Sequence, residues 1–304
     1  MSVHPHPVRT LADLAAWSAP GPSLALLGHP VAHSVSPAMH LAALAVLAEE
    51  DPRFRTWGYD KFDISAADLP RALALLHARG FVGLNLTVPH KETGLALAES
   101  ADAFAKSAGA ANTLLRTATG WHAANTDGPG LADAVRSELG LGLRGRSIIL
   151  LGAGGAARAA AAQCLQDGVS ALWIGNRGPD RLAALLTHLA PLAHGIPVHG
   201  FPLDQPPAGL PAGALVINST SVGLHHEPTG PVDLRRLPAP AAVFDMIYNP
   251  PDTALLRQAA GLGLPHASGL AMLVHQGAHA LSRWTGRPAP AGVMSQAART
   301  ALSR

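Results

Sequence analysis

Three observations predict an α/β fold in two domains. The chain has 304 residues, enough for two domains of about 150 residues each. From Leu24 onward, short apolar and β-branched runs alternate with helix-period stretches, the pattern of helices layered on mostly parallel sheets. Gly152-Ala153-Gly154-Gly155-Ala156-Ala157 joins an apolar run to an Ala-rich helical stretch, and a glycine-rich turn in that setting can receive a phosphate.

Composition narrows the function classes. Hydrophobic residues make up 48% and charged residues 14%, which supports a large core and argues against disorder. Lys plus Arg is 22 against 20 for Asp plus Glu. Without a basic run, no nucleic-acid partner is expected. The single cysteine, Cys164, cannot form an internal disulfide and reads as a small buried hydrophobe in a reducing cytosol. The first residues lack the features of a secretory leader, and no long apolar run suggests a membrane span, so a cytoplasmic protein is expected. The 16 histidines are scattered, and no His-x-x-x-His has supporting acids, so no metal site is expected.

In the first half, Leu24–Gly28 reads as a strand leading into His29-Pro-Val-Ala-His-Ser34-Val-Ser36-Pro37. Pro37 suits the first position of a helix over Ala38–Ala48. Ser34 or Ser36 could simply be the N-cap, but the pair also suits a carboxylate beside a helix N-terminus. Thr56–Phe62 reads as a strand, and residues 66–79 as a helix. Gly83-Leu-Asn85-Leu-Thr87-Val-Pro89-His-Lys91 follows. It reads as a buried strand ended by Pro89 in the first turn of a helix. Lys91 then sits at the positive end of that helix, where the field disfavours the ammonium and suits a proton carrier; a solvated surface lysine is the alternative. Asn112 could be an exposed turn residue. Asp127 precedes a helix over Leu131–Leu139 and is either its N-cap or a buried carboxylate beside Lys91.

In the second half, Arg146–Leu151 is a strand. Gly152 permits the tight turn after it, Gly154 lets a pyrophosphate approach, and Ala157 allows close packing of helix on strand. The strand Ala171–Ile174 ends in Gly175-Asn176-Arg177-Gly-Pro-Asp-Arg181. An NAD site would place an acid there, whereas Arg177 and Arg181 suit the 2′-phosphate of NADP. Asp180 reads as a cap for the Arg181–Leu189 helix. Leu215–Asn218 ends in small polar residues, including Thr220, that would lie over the nicotinamide half of a cofactor. The strand from Ala242 leads to Met246 and Tyr248, the latter an interfacial aromatic or a hydroxyl donor. Gly269–Trp284 is an amphipathic helix, with Gln276 beside its apolar stripe, where it could merely face water. Pro202–Pro211 reads as a surface loop.

Together these stretches resemble the shikimate dehydrogenase family, from about Leu24 to Trp284. The residues that carry the resemblance are Ser34-Val-Ser36-Pro37, Asn85-Leu-Thr87-Val-Pro89-His-Lys91, Asn125-Thr-Asp127-Gly128, Gly152–Ala157, Asn176-Arg177 with Arg181, and Gly269 through Gln276. Gly178 departs from the pattern, because many members place Thr there. The resemblance implies NADPH-dependent reduction of 3-dehydroshikimate to shikimate in aromatic amino-acid biosynthesis. It also implies a substrate domain over 1–126 completed by helices in 269–304, and a Rossmann-type NADP domain over 127–268. Ser34 and Ser36 would hold the ring carboxylate. Asn85, Thr87, Asn112, Asp127 and Gln276 would bind ring hydroxyls, aided by Tyr248. Lys91 would carry the proton with Asp127 as its charged partner. Gly152, Ala153, Gly154, Gly155, Ala156, Asn176, Arg177, Arg181, Thr220, Met246 and Gly269 would line NADP. The expected partner is a small molecule, with no nucleic acid and no membrane, and the chain is a monomer or homodimer. The rival readings are a paralogue oxidising quinate or shikimate with NAD, and a non-enzymatic NADPH-binding sensor.

Overall fold

A computed structural model describes residues 7–18, 21–225 and 227–303. The chain divides into two compact units, one formed by Met1–Lys106, Ala110–Thr126 and Gln276–Arg304, the other by Ser107–Gly109 and Asp127–His275.

In the first unit the strands are β1 (Val8–Arg9), β2 (Ser23–Gly28), β3 (Gly58–Asp63), β4 (Gly83–Leu86), β5 (Ser100–Ala101), β6 (Thr113–Arg116) and β7 (Trp121–Ala124). They form one mixed sheet in the order β1-β3-β2-β4-β6-β7-β5. β1, β3, β2 and β4 run parallel, while β6 is antiparallel to both β4 and β7. The helices α1 (Leu11–Ala15), α2 (Ser36–Glu50), α3 (Leu69–Ala78), α4 (Lys91–Leu97) and α5 (Ala103–Ala108) alternate with them. Every residue of β2 and β4 is buried, which explains their near-continuous apolar sequences. Phe62 and Phe81 meet edge to face at 5.9 Å within the core.

Three sequence expectations shift here. The strand expected from Thr56 starts at Gly58, because Asp51 caps a 3-10 turn over Pro52–Thr56. Pro89 does not enter a helix; His90 N donates to Thr87 O at 2.8 Å, closing a turn that contains Pro89, and α4 starts at Lys91. α2 starts at Ser36 with Val35 as its N-cap residue, so neither serine occupies the N-cap position.

The second unit contains α6 (Asp127–Leu139), β8 (Ser147–Leu151), α7 (Gly155–Asp167), β9 (Ala171–Asn176), α8 (Pro179–Leu189), β10 (Val198–Pro202), β11 (Leu215–Asn218), β12 (Ala242–Asp245), α9 (Ala254–Gly261) and β13 (His266–Ser268). Its sheet is wholly parallel, in the order β10-β9-β8-β11-β12-β13. Both faces are covered. Ile148, Leu150, Ile174, Ile217 and Phe244 pack on one side, and Ile149, Leu151, Val216 and Val243 on the other. Strand order reverses between β8 and β11, and in such sheets ligands bind beyond the carboxyl ends at that point.

Other details of this unit also differ from expectation. Asp127 is the first residue of α6, not a cap four residues ahead of it. Asp180 lies in the first turn of α8 behind the N-cap residue Gly178, where its carboxylate complements the helix dipole. The segment 202–211 begins in the last residue of β10 and sends Leu210 into the core, so it is not wholly a surface loop.

Two helices close the chain. α10 (Leu270–Thr285) begins in the second unit and belongs to the first from Gln276 onward. α11 (Ala291–Leu302) packs against α2. Cys164 is fully buried, and burial pushes its thiol up to about 12, as suits a core residue. Among the described residues no helix is long and apolar enough to cross a membrane, and no group of His, Cys, Asp and Glu is placed to hold a metal ion.

Candidate active site

The polar residues of the first unit lie on β3 and β4, in the segment after β2 and just ahead of β6. The chain leaves β2 at Gly28 and loops through residues 29–35 into α2. Ser34 Oγ lies 3.1 Å from Ser36 Oγ and accepts from Ser36 N at 3.3 Å. Ser36 is buried, and the influence of its hydroxyl partly offsets the effect of burial on the Tyr59 phenol.

Tyr59 in turn donates to Asn85 Oδ1 at 2.8 Å. The direction is fixed, because Asn85 Nδ2 donates to Asn112 O at 3.1 Å, and a carbonyl only accepts. Tyr59 is held by stacking on His40, with ring centroids 4.2 Å apart and planes 4° apart. Burial raises the Tyr59 pKa, so it remains a phenol, and pushes His40 down to about 3, so it remains a neutral imidazole.

Asn112 is 2% exposed, so it is not the exposed turn residue the sequence allowed. Its Oδ1 accepts from Thr126 N at 2.7 Å, and its Nδ2 donates to Thr126 Oγ1 at 2.9 Å and to Gln276 Oε1 at 3.2 Å. Gln276 therefore faces this network, and not only water. Lys91, half-buried at the start of α4, accepts a bond from Ala111 N through its carbonyl oxygen at 2.8 Å. That bond ties the helix start to the residue before Asn112. The Thr87 methyl lies over Gly28. Ser34, Ser36, Asn85, Asn112 and Gln276 thus belong to one polar region, with Thr87 and Lys91 on the segment between its strands.

Sequence reasoning missed Tyr59, His40, Lys61 and His90. Lys61 is 6% exposed and donates to Ala32 O at 2.6 Å. His90 is buried and bonds Ile64 O at 2.8 Å. A signal existed for β3: Tyr59 and Lys61 are spaced by two in a strand and so share one face.

In the second unit, Gly152 has φ +115, and an added Cβ would lie 2.6 Å from Ser219 Oγ; only glycine fits there. Gly154 is the N-cap residue of α7 and carries no side-chain cap, and the space where its Cβ would point is open. Ala153, Gly155, Ala156 and the buried Ala157 complete the turn and the first helical residues. Backbone N–H groups with open space before them fit a dinucleotide phosphate. Asn176 ends β9 and donates to Gly178 O at 2.8 Å. Arg177 and Arg181 are exposed, and no acid among the described residues pairs with either, which fits a further phosphate.

Thr220 is oriented by Asn218, whose Oδ1 accepts from Thr220 N at 2.9 Å and from its Oγ1 at 2.8 Å. Asn218 in turn donates to the buried Asp245 at 2.9 Å. Burial raises the Asp245 carboxyl, opposed by bonds from Thr253, Ile247 N and Asn218. Met246 N donates to Asn218 O, and Gly269 N to Ile247 O, so both lie beside this polar strand end. Tyr248 is half-buried just after β12, and Asp127 is 4% exposed at the start of α6.

Fold and site define a two-unit α/β protein with a dinucleotide-binding sheet in one unit and a hydroxyl- and amide-rich pocket edge in the other. Residues 26–114 match the shikimate dehydrogenase substrate binding domain, and residues 269–299 match the shikimate 5′-dehydrogenase C-terminal domain. An NADP(+) shikimate dehydrogenase of Symbiobacterium thermophilum is 40% identical over 289 residues, spanning 93% of this chain and 95% of that protein. One from Synechococcus sp. is 41% identical over 290 residues, spanning 92% and 94%. Among solved structures, shikimate 5-dehydrogenase from Thermus thermophilus, in complex with NADP(H) and shikimate, superposes with a TM-score of 0.79 at 36% identity, covering 92% of this chain and all of that one. This chain belongs to the shikimate dehydrogenase family.

Proposed function

We propose that this protein catalyses the reversible NADPH-dependent reduction of 3-dehydroshikimate to shikimate in the cytoplasm, as a step of aromatic amino-acid biosynthesis. The observation that carries this reading is the serine pair Ser34 and Ser36 with the hydrogen-bonded set Asn85, Asn112 and Gln276 in one unit of a chain of this family. A polyhydroxylated ring acid needs one seat for a carboxylate and several neutral partners for hydroxyls. The serine pair supplies the seat; Asn85, Thr87, Asn112 and Gln276 supply the partners, and Tyr248 adds a hydroxyl.

NADPH, when bound, supplies the hydride to the substrate carbonyl carbon. Lys91 Nζ delivers a proton to the oxygen that becomes an alkoxide and withdraws it in the reverse direction. Asp127, the buried carboxylate at the start of α6, is the second catalytic group. Gly152–Ala156 with the α7 N-terminus hold the pyrophosphate, and Asn176, Arg177 and Arg181 hold the 2′-phosphate. Thr220, Met246 and Gly269 line the nicotinamide end. The free guanidinium groups at the end of β9 favour NADP over NAD.

The test is the loss of nicotinamide absorbance with purified protein and 3-dehydroshikimate, using NADPH beside NADH, and with quinate and shikimate as substrates in reverse. Turnover with NADPH and the shikimate pair is the expected result. Turnover only with NAD and quinate, or none despite NADPH binding, would sink the reading.

A further inference from the structure

β3 approaches the serine loop from one face. Tyr59, Lys61 and Asp63 share that face, since side chains alternate along a strand. Two of them reach the segment between β2 and α2. Asp63 Oδ1 lies 2.5 Å from His29 Nδ1, and Lys61 Nζ donates to Ala32 O at 2.6 Å. The segment that leads to Ser34 and Ser36 is thus pinned at two points along one strand.

Lys61 is the unusual member of the three. It is 6% exposed, yet no carboxylate among the described residues pairs with it. The nearby acids are engaged elsewhere, Asp60 with Arg9 at 2.9 Å and Asp63 with His29. A carbonyl oxygen is its one hydrogen-bond acceptor. Burying an ammonium without a counter-ion is costly, and burial lowers the Lys61 pKa accordingly. Apolar or small neutral residues would fill a strand face more cheaply. Ala32 is two residues from Ser34, so the charge is bonded to the loop that carries the carboxylate seat.

We infer that Lys61 is the counter-ion for the carboxylate of the ligand held at Ser34 and Ser36, and so selects a ring monocarboxylate over its neutral analogues. The inference rests on the proposed role of the serine pair. In such a poorly hydrated setting a cation–anion attraction is worth more than in water.

The test compares dissociation constants of shikimate and of its uncharged methyl ester, by titration calorimetry of the full chain. Lys61→Gln keeps a donor for Ala32 O but removes the charge, Lys61→Met removes both, and Lys61→Arg keeps both. Lys61→Gln and Lys61→Met are expected to weaken shikimate binding about tenfold and leave the ester within about twofold, a difference of roughly 1.4 kcal/mol. Lys61→Arg is expected to restore the preference. Equal weakening for both ligands would make Lys61 a loop anchor only, and no change for either would leave it no role; each result overturns the inference. Turnover of the wild type is measured alongside. Charge-selective binding without turnover would sink the proposed reaction and leave this inference standing, and turnover without charge selection would do the reverse.

Discussion

The side-chain amide of Asn112 donates to Oε1 of Gln276 at 3.2 Å, joining residues 164 positions apart. The same side chain bonds both the backbone and the hydroxyl of Thr126. One buried asparagine therefore ties the start of β6, the end of β7 and the middle of α10 together, within the unit that contains the serine pair.

Asn112→Ala strands the buried Thr126 N–H and removes the partner of Gln276. The expected loss of stability is about 3 kcal/mol, because an unsatisfied buried donor costs ~1–3 kcal/mol and a second bond is lost as well. Gln276→Ala, at a half-buried site, should cost about 1 kcal/mol. Urea unfolding of the two variants checks the order; an equal effect would contradict the network.

The two glycines of the β8–α7 turn should fail in different ways. Gly152→Ala forces a side chain into positive φ and against Ser219, so it should lower the melting temperature by several degrees. Gly154→Ala meets open space and should fold nearly as well as wild type. Its methyl group would occupy the place where a pyrophosphate approaches, so the KM for NADPH should rise about tenfold or more. Melting curves and cofactor kinetics on both variants separate the two effects.

Removing either free guanidinium should act on one cofactor alone. Arg177→Met or Arg181→Met is expected to raise the KM for NADPH about tenfold while leaving that for NADH within twofold, since only the former carries a 2′-phosphate. A parallel loss for both cofactors would show that these arginines act through the fold.

His40 makes stability fall in acid. Its pKa lies near 3 in the folded chain against 6.5 for an ordinary histidine. Between those values the unfolded state binds a proton that the folded state refuses, so stability decreases as pH falls through 6.5 toward 3. The slope from this group is about 1.4 kcal/mol per pH unit. His90, also lowered chiefly by burial, adds in the same sense. His40→Leu should flatten the dependence between pH 6 and 4 in denaturant titrations, and an unchanged slope would contradict the assignment.

How much of this could be read in advance depended on the range of the forces involved. The β8–α7 turn was legible because strand, glycine turn and helix are contiguous, and Gly152 and Gly154 meet local demands. Ser34, Asn85 and Lys91 were legible as candidates for the same reason, each next to a strand end. The burial of Asn112 was not, because it depends on Thr126 and on Gln276 from a distant helix. Tyr59 and His40 were missed because their pairing is a stacking of one strand on one helix, with no spacing signature. β10 was missed because most of its side chains are exposed, and β13 because it has three residues and buries only Ala267.

The most direct test of the central claim is steady-state turnover of Lys91→Ala beside wild type, with shikimate affinity measured separately by calorimetry. In Lys91→Ala kcat is expected to fall about a thousandfold, within the range for loss of a positioned proton carrier, while the dissociation constant for shikimate changes less than tenfold. A variant that keeps wild-type kcat would contradict the assignment of Lys91, and with it the chemistry proposed for this site.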